Sequence, residues 1–581
     1  MRAVILLSCV MGLMAMSGGC AAATDAVKSQ KLVLEAPTVH CLGVRWYVAG
    51  DENGNASVQV SYREKGESSW HQAMDLFRVG TGPDSQEGEK RLESGGRDEW
   101  PFPLGNFFAG SVFDLTPDTV YELRLALSDP DGGRFTEEVQ AHTRMIPVPP
   151  KPQRTLHVVP GAGGGSGTQE DPLRGLEAAD AVARPGDLFL VHQGVYQGPW
   201  ETDKSGKPGA PIVWRAAGDG EAVVDGGGAH RAVGANQTHD LFFEGLAFRD
   251  ADFVFVAHGA SDLAVQRCHF YQCNYGFTAH NNEPLMGGLY IADNLFEGPS
   301  SWPRTKGIED ARAIQVSGEG HDICYNRIRG FGDGIDIMGS PPGRAIDFYN
   351  NEISECTDDA IELDYGQTNV RAFRNHITNC FEGISTQPLY GGPAYIFRNA
   401  MYNLAYTPFK MHNRPSGVLL FHNTIVKSGI PWPLYSGAPV GKAMSRNNLF
   451  VGGPADYAME FSPVVEQADF DHDGFTGGPF AMFAKWGGER YGTFHDFRSQ
   501  SGIERRSVWL GNESPFASGV SVPADLREQF PIAVNDLRLK PQSRAVDAAL
   551  VLPNLNDGYS GDGPDLGAYE LGQAMPHYGP R

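Results

Sequence analysis

Between residues 321 and 450 the apolar and polar positions recur on a period of 24 or 25 residues. Asn326, Asn351, Asn375, Asn399, Asn423 and Asn447 follow one another at intervals of 25, 24, 24, 24 and 24. The first five open the phrases NRI, NEI, NHI, NAM and NTI. A short apolar strand follows nine to ten residues on: GIDIM at 334–338, AIELD at 360–364, GISTQ at 383–387 and PFKMH at 408–412. A unit of this length cannot bury its own apolar side, so the period predicts a solenoid whose turns cover one another. The inward column is Ile314, Ile335, Ile361, Ile384, Phe409, Leu434 and Met459. The Asn column predicts a stacked ladder. The column two places before it (Cys324, Tyr349, Phe373, Phe397, Phe421) predicts an internal aromatic stack.

The rest of the chain divides around this repeat. Residues 33–145 alternate as half-buried strands do, in GVRWYVAG, ASVQVSYRE, LTPDTVYELRLALSD and EEVQAHTR, and predict a β-sandwich with Trp46 and Tyr121 in its core. A Gly/Asp/Glu-rich insertion spans roughly 70–112. Residues 146–153, IPVPPKPQ, are a stiff Pro-rich linker. From 154 to 581 the chain reads as the solenoid, opened by LRGLEAADAVARPGDLFLV, an amphipathic helix leading into a strand and placed to cap the open end.

Residues 1–23 read as an export signal, with Arg2, an apolar run and then SGGCAAA. It is too short to span a membrane. Cleavage after Ala23 gives a secreted or periplasmic protein. Cleavage before Cys20 gives a lipid-anchored outer-membrane protein of a bacterium. Formal net charge is −23, with no Lys/Arg run, which argues against a nucleic-acid partner. Six of the eight cysteines lie beyond the signal in no disulfide or metal-site spacing. Cys273, Cys356 and Cys380 hold one repeat position and read as small core residues. Oligomeric state is not legible.

Chemistry is sought on the outward rows. One runs Gln315, Asp336, Glu362, Ser385, Lys410, Tyr435 and Glu460, and two places on lie Asp364, Gln387 and His412, then Arg414. His258, Tyr275, Thr278 and His280 belong to earlier turns. With rungs ~4.8 Å apart, Asp336, Glu362 and Asp364 form one acid cluster, and Lys410 and His412 lie two rungs away. Carboxylates that close repel unless a cation or proton sits among them. Asp358 and Asp359 read as a turn-forming pair.

Three resemblances bear on this. LTPDTVYELRL and Trp46 resemble a fibronectin type III domain. The start at 154, the repeats and the closing NDLRLKPQSRAVDAAL…DGPDLGAYE resemble right-handed parallel β-helix carbohydrate-active proteins, of the polysaccharide lyase and polygalacturonase-like superfamily. The Glu-x-Asp spacing at 362 and 364 is similar to β-helix polysaccharide lyases. That resemblance implies Ca2+ on Asp336, Glu362 and Asp364, and β-elimination of an acidic polysaccharide by Lys410 or His412 with Arg414. DGID and TDDAIELD loosely resemble polygalacturonases, which implies hydrolysis by paired carboxylates drawn from Asp336, Asp358, Asp359 and Glu362. YGFTAH at 275–280 resembles a C5-epimerase motif whose acid is replaced by Thr278. His258, Tyr275, His280, Gln387 and Tyr435 are the candidate substrate-binding residues. A non-catalytic glycan-binding or cell-surface β-helix is the remaining class.

Overall fold

The computed structural model describes residues 25–80, 105–280, 287–305, 309–338, 343–531 and 535–581. The expected export signal with Cys20, and most of the 70–112 insertion, lie outside the described residues. The described chain is all-β apart from two short helices, Leu176–Asp180 and Phe494–Gln500. No described helix is long and apolar enough to cross a membrane.

Residues up to 142 form two four-stranded antiparallel sheets. One orders Lys28–Leu34, Leu42–Ala49, Phe107–Val112 and Phe77–Val79; the other His71–Ala73, Ser57–Glu64, Val120–Ser128 and Arg134–His142. Trp46, Val58, Leu123 and Leu125 are buried between them, and the Tyr121 hydroxyl accepts the Thr116 N–H at 3.0 Å. Residues 146–153 carry no strand or helix.

From Arg154 the chain winds into a parallel β-solenoid with long sheets of 14 and 20 strands. Its interior is one continuous apolar core. The helix predicted near 172–184 forms over only five residues, with Leu176 and Ala179 in that core. Ile314, Ile335, Ile361, Ile384 and Phe409 pair rung to rung as the period predicts. The column then slips, because Met459 pairs with Trp432 while Leu434 pairs with Phe461. The six described cysteines are free and buried.

The Asn ladder is present and longer than the period suggested. It runs Asn294, Asn326, Asn351, Asn375, Asn399, Asn423, Asn448 and ends on Asp473. From Asn326 onward each side-chain oxygen accepts both the backbone N–H and the amide N–H of the preceding rung; Asn375 Oδ1, for example, takes Asn351 at 3.1 and 3.0 Å. Asn447, expected as a rung, is instead the residue before one. It has φ 63°, donates to the Leu550 carbonyl and lies outside the ladder. The left-handed conformation falls on that preceding position in every turn, at Tyr325, Asn350, Arg374, Arg398, His422 and Asn447, with φ between 51° and 63°. The stretch DFDHDGF thus supplies the last rung through Asp473.

The aromatic column also differs from expectation. Tyr349, Phe373 and Phe397 stack at 5.1 and 4.9 Å, but on the outside of the coil. Alternation had already committed their neighbours Phe348, Ala372 and Ile396 to the interior. The stack is buried because the sandwich covers it, through Val39, Cys41 and Phe113. The contact is also polar. Arg371 and Asp347 form a fully buried ion pair. Thr38 Oγ1 donates to Asp347 at 2.7 Å, and Arg371 donates to Ser111 at 2.9 Å.

Replacing Asn375 with Ala strands two buried donors of Asn351, each costing about 1–3 kcal/mol. A Tm lowered by several degrees relative to an exposed-site control is expected; an unchanged Tm would show that the ladder contributes nothing net.

Candidate active site

Four consecutive strands of the larger sheet build the site: Arg312–Val316, Asp333–Ile337, Asp359–Glu362 and Glu382–Ser385, followed by Phe409–Lys410. Each of the four opens on one phrase: RAIQ, DGID, DAIE and EGIS. The small residue and the Ile both enter the core region, leaving the first and fourth residues outside. The small residue is required: a Cβ on Gly334 would lie 2.5 Å from the Ala360 carbonyl oxygen, and one on Gly383 2.4 Å from that of Pro408. Two outward files result. One pairs Gln315, Asp336, Glu362, Ser385 and Lys410 in register. The other holds Arg312, Asp333, Asp359 and Glu382.

Of the proposed metal set, Glu362 comes together with Asp333 and Asp359, one oxygen from each lying within 4.8 Å of the others. A second group, Asp358, Asp359 and Glu382, meets the same limit. Asp336 is held by Arg312 at 2.7 Å and by the Gln315 amide at 3.0 Å. Asp364 accepts the Ser385 hydroxyl at 2.7 Å and the Gln387 N–H at 2.6 Å. Asp358 and Asp359 were assigned to turn formation; Asp359 instead opens a strand and is fully buried in the cluster. Asp333 and Glu382 were missed as site residues, and Asp359 was carried only through the polygalacturonase resemblance. The visible signal was the repeated phrase, whose first position is charged in all four turns.

Lys410 Nζ lies 2.6 Å from Asp359 Oδ2 and 3.2 Å from Glu382 Oε2. Burial works against its charge, but Asp359 and Glu382 outweigh it and raise its pKa. Burial, then Lys410, lowers the pKa of His412, whose Nε2 is buried without a hydrogen bond. Arg304 approaches Asp358 at 3.8 Å and sits over the Phe381 ring. The carboxyls of Asp333, Asp336, Asp359, Glu362, Asp364 and Glu382 shift upward, burial leading in each case. Asp336 rises to about 6 and Asp364 to about 8; Asp333, Asp359 and Glu362 are pushed well above the carboxylate range, with neighbouring acids adding to the effect. Asp336 Oδ1 and Asp359 Oδ1 are buried with no hydrogen-bond partner. Hard oxygen donors, crowded and in part unpartnered, fit an oxygen-seeking cation such as Ca2+.

The remaining candidates lie on earlier and later turns or at the edge of this cluster. His258 and His280 pack ring to ring at 4.0 Å on adjacent turns. Tyr275 stacks on Phe253 at 4.1 Å, one rung before Arg312. Gln387 follows Asp364 in the hydrogen-bond chain, with its Oε1 buried and unpartnered. Tyr435 donates to Glu460 at 2.6 Å, and Arg414 has φ 58° just beyond His412.

No protein-family model matches the chain. The chain is 25% identical over 449 residues to pectate lyase L of Dickeya chrysanthemi, covering 72% of this chain and 91% of that protein. Pectate lyase L of Dickeya dadantii is 24% identical over the same span and coverage. Among solved structures, a family 28 exopolygalacturonase of Yersinia enterocolitica aligns at TM-score 0.30 and 11% identity, over 83% of this chain and 98% of that one. An alginate lyase of Paenibacillus aligns at TM-score 0.28 and 14% identity, over 54% and 98%.

The folded chain retains protons on Asp336 and Asp364 that the unfolded chain, with carboxyl pKa values of about 4, has released. Their contribution to stability is therefore greatest at low pH and declines as pH rises through about 6 and about 8. In chelator, Asp364→Asn should flatten the upper part of this decline in Tm; a slope identical to the wild type would contradict the assignment.

Proposed function

We propose that this chain is an exported enzyme that cleaves an acidic polysaccharide by β-elimination, with Lys410 as base beside a cation held by Asp333, Asp358, Asp359 and Glu362. One observation carries the reading: Asp359 offers one oxygen to Lys410 at 2.6 Å while its other oxygen is buried and unpartnered, and the residue belongs to the acid group that brings one oxygen each of Asp333, Asp359 and Glu362 within 4.8 Å. Sequence similarity to pectate lyase L over 72% of the chain supports a polysaccharide-degrading β-helix protein acting outside the cell.

Bound at these carboxylates, Ca2+ would supply positive charge to the substrate uronate and acidify the hydrogen alpha to it. Lys410 then has one task. As a neutral amine it takes that proton, the electron pair forms the carbon–carbon double bond, and the glycosidic oxygen at the β carbon leaves with its chain. In the cation-free site Lys410 is locked as an ammonium by Asp359 and Glu382. Any cation engaging Asp359 competes for the same carboxylate and loosens that hold. His412, held neutral by burial and by Lys410, is the second basic nitrogen of the groove.

Hydrolysis is the second reading, favoured by the raised carboxyl pKa values that suit a general acid. The spacing argues against inversion. Asp333, Asp359 and Glu362 approach within 4.8 Å, whereas an inverting pair stands ~6.5–9.5 Å apart to admit water.

Incubation with polygalacturonate and with alginate should give unsaturated, ultraviolet-absorbing ends, lost in chelator and restored by calcium. Lys410→Ala should lower the rate by about 10²–10⁴-fold with Tm retained. New reducing ends without unsaturation would replace elimination by hydrolysis, and no cleavage of either polymer would refute both.

A further inference from the structure

An acidic protein with an acidic cleft must still hold a polyanion beyond the one carboxylate that a cation can take. The segment following the third site strand brings a basic feature beside that cleft. Tyr365 follows Asp364 directly, and the carboxyls of Asp364, Glu362 and Asp336 bear on its hydroxyl, whose pKa is raised by burial and then by these three. On its other side Tyr365 packs into a small apolar cluster with Tyr390 and with Val79, Phe107 and Tyr47 of the sandwich. Its carbonyl accepts the Gly343 N–H at 3.3 Å, and Gly343 and Arg344 pair with the next turn at Gly366 and Thr368.

Arg344 is half-buried here, and it is unusual. Its guanidinium donates to Gln367 Oε1, yet among the described residues no carboxylate lies within 4.0 Å of it. In a chain with 70 acidic and 47 basic residues, most part-buried arginines find an acid easily. Its charged neighbours include another cation, Arg45 of the sandwich; burial first, then Arg45, lowers the Arg344 pKa, against the pull of Glu319 and Glu35. Arg45 itself donates to the Tyr47 hydroxyl at 3.0 Å and pairs with Glu35 at 2.9 Å. Glu35 cannot serve both arginines, because its oxygens also accept from Thr368 at 2.6 Å and Asn369 at 2.8 Å. Of the two acids near Arg344, Glu35 is occupied, and Glu319, which bridges Arg344 through the backbone, makes no ion pair with it, so an external carboxylate can engage the guanidinium, whose planar fork suits that partner.

We propose that the N-terminal sandwich completes the substrate groove: Arg45 and Tyr47, with Arg344 and Tyr365 of the solenoid, form a basic, aromatic lip that binds a uronate carboxylate outside the unit being cleaved. The inference rests on the reading of the chain as an acidic-polysaccharide enzyme. It assigns the sandwich a share in substrate specificity, with the lip reading the charge of a neighbouring sugar.

The test compares wild type, Arg344→Gln and Arg344→Lys on polygalacturonate and on a highly methyl-esterified pectin. The expected result for Arg344→Gln is a KM on polygalacturonate raised about tenfold, roughly the loss of one charge-assisted contact, with kcat little changed. Arg344→Lys recovers part of the loss, and the effect shrinks on the esterified polymer. Tm measured on each variant separates lost binding from lost folding. Calorimetric binding of an oligogalacturonate in calcium reads the lip without turnover. Weakened binding in Arg344→Gln with no cleavage by wild type supports the lip and overturns only the reaction. Cleavage by wild type with KM and binding unmoved in Arg344→Gln overturns the lip, as does an equal loss on the esterified polymer.

Discussion

One amide per turn governs this molecule. The ladder from Asn294 to Asn448 fastens each rung to the next through two hydrogen bonds to a single side-chain oxygen, in a place where no water can substitute. A stack of identical bonds holds the rungs in one register. Register in turn decides which outward residues become neighbours, so residues 26 apart in sequence, such as Asp333 and Asp359, meet within hydrogen-bond range. The acid cluster is a product of the ladder before it is a product of any local motif.

Much of this was legible from the period alone. The Ile column and the row Gln315, Asp336, Glu362, Ser385 and Lys410 emerge in register because alternation is a rigid rule within a short strand. The misreadings along the strands and rungs are local. Alternation fails where the strand opens, since the small residue and the Ile of DGID, DAIE and EGIS both turn toward the core. A period-two count therefore assigned Asp333, Asp359 and Glu382 nothing. The Asn447–Asn448 dipeptide offered two candidate rungs, and only a hydrogen-bond partner distinguishes the ladder amide from the left-handed residue before it.

The aromatic column failed for a different reason. Tyr349, Phe373 and Phe397 are as buried as interior residues, but by a partner module whose docking face has no period. Sequence shows that a surface is apolar and not what covers it. The charges at the site follow the same logic in reverse: burial drives the acids upward in pKa, and Asp359 and Glu382 keep Lys410 charged.

The Arg371–Asp347 pair bears on how such a protein could have arisen. Both partners belong to the solenoid, yet their seal of Thr38 and Ser111 belongs to the sandwich. An ion pair sunk that deep tolerates no intermediate in which its cover is missing, because a half-uncovered buried charge costs several kcal/mol. The two modules are thus not beads on a string, despite a Pro-rich linker that looks like a cutting point. They are packed as one unit, and a different domain grafted onto this solenoid would have to bring the matching hydroxyls with it.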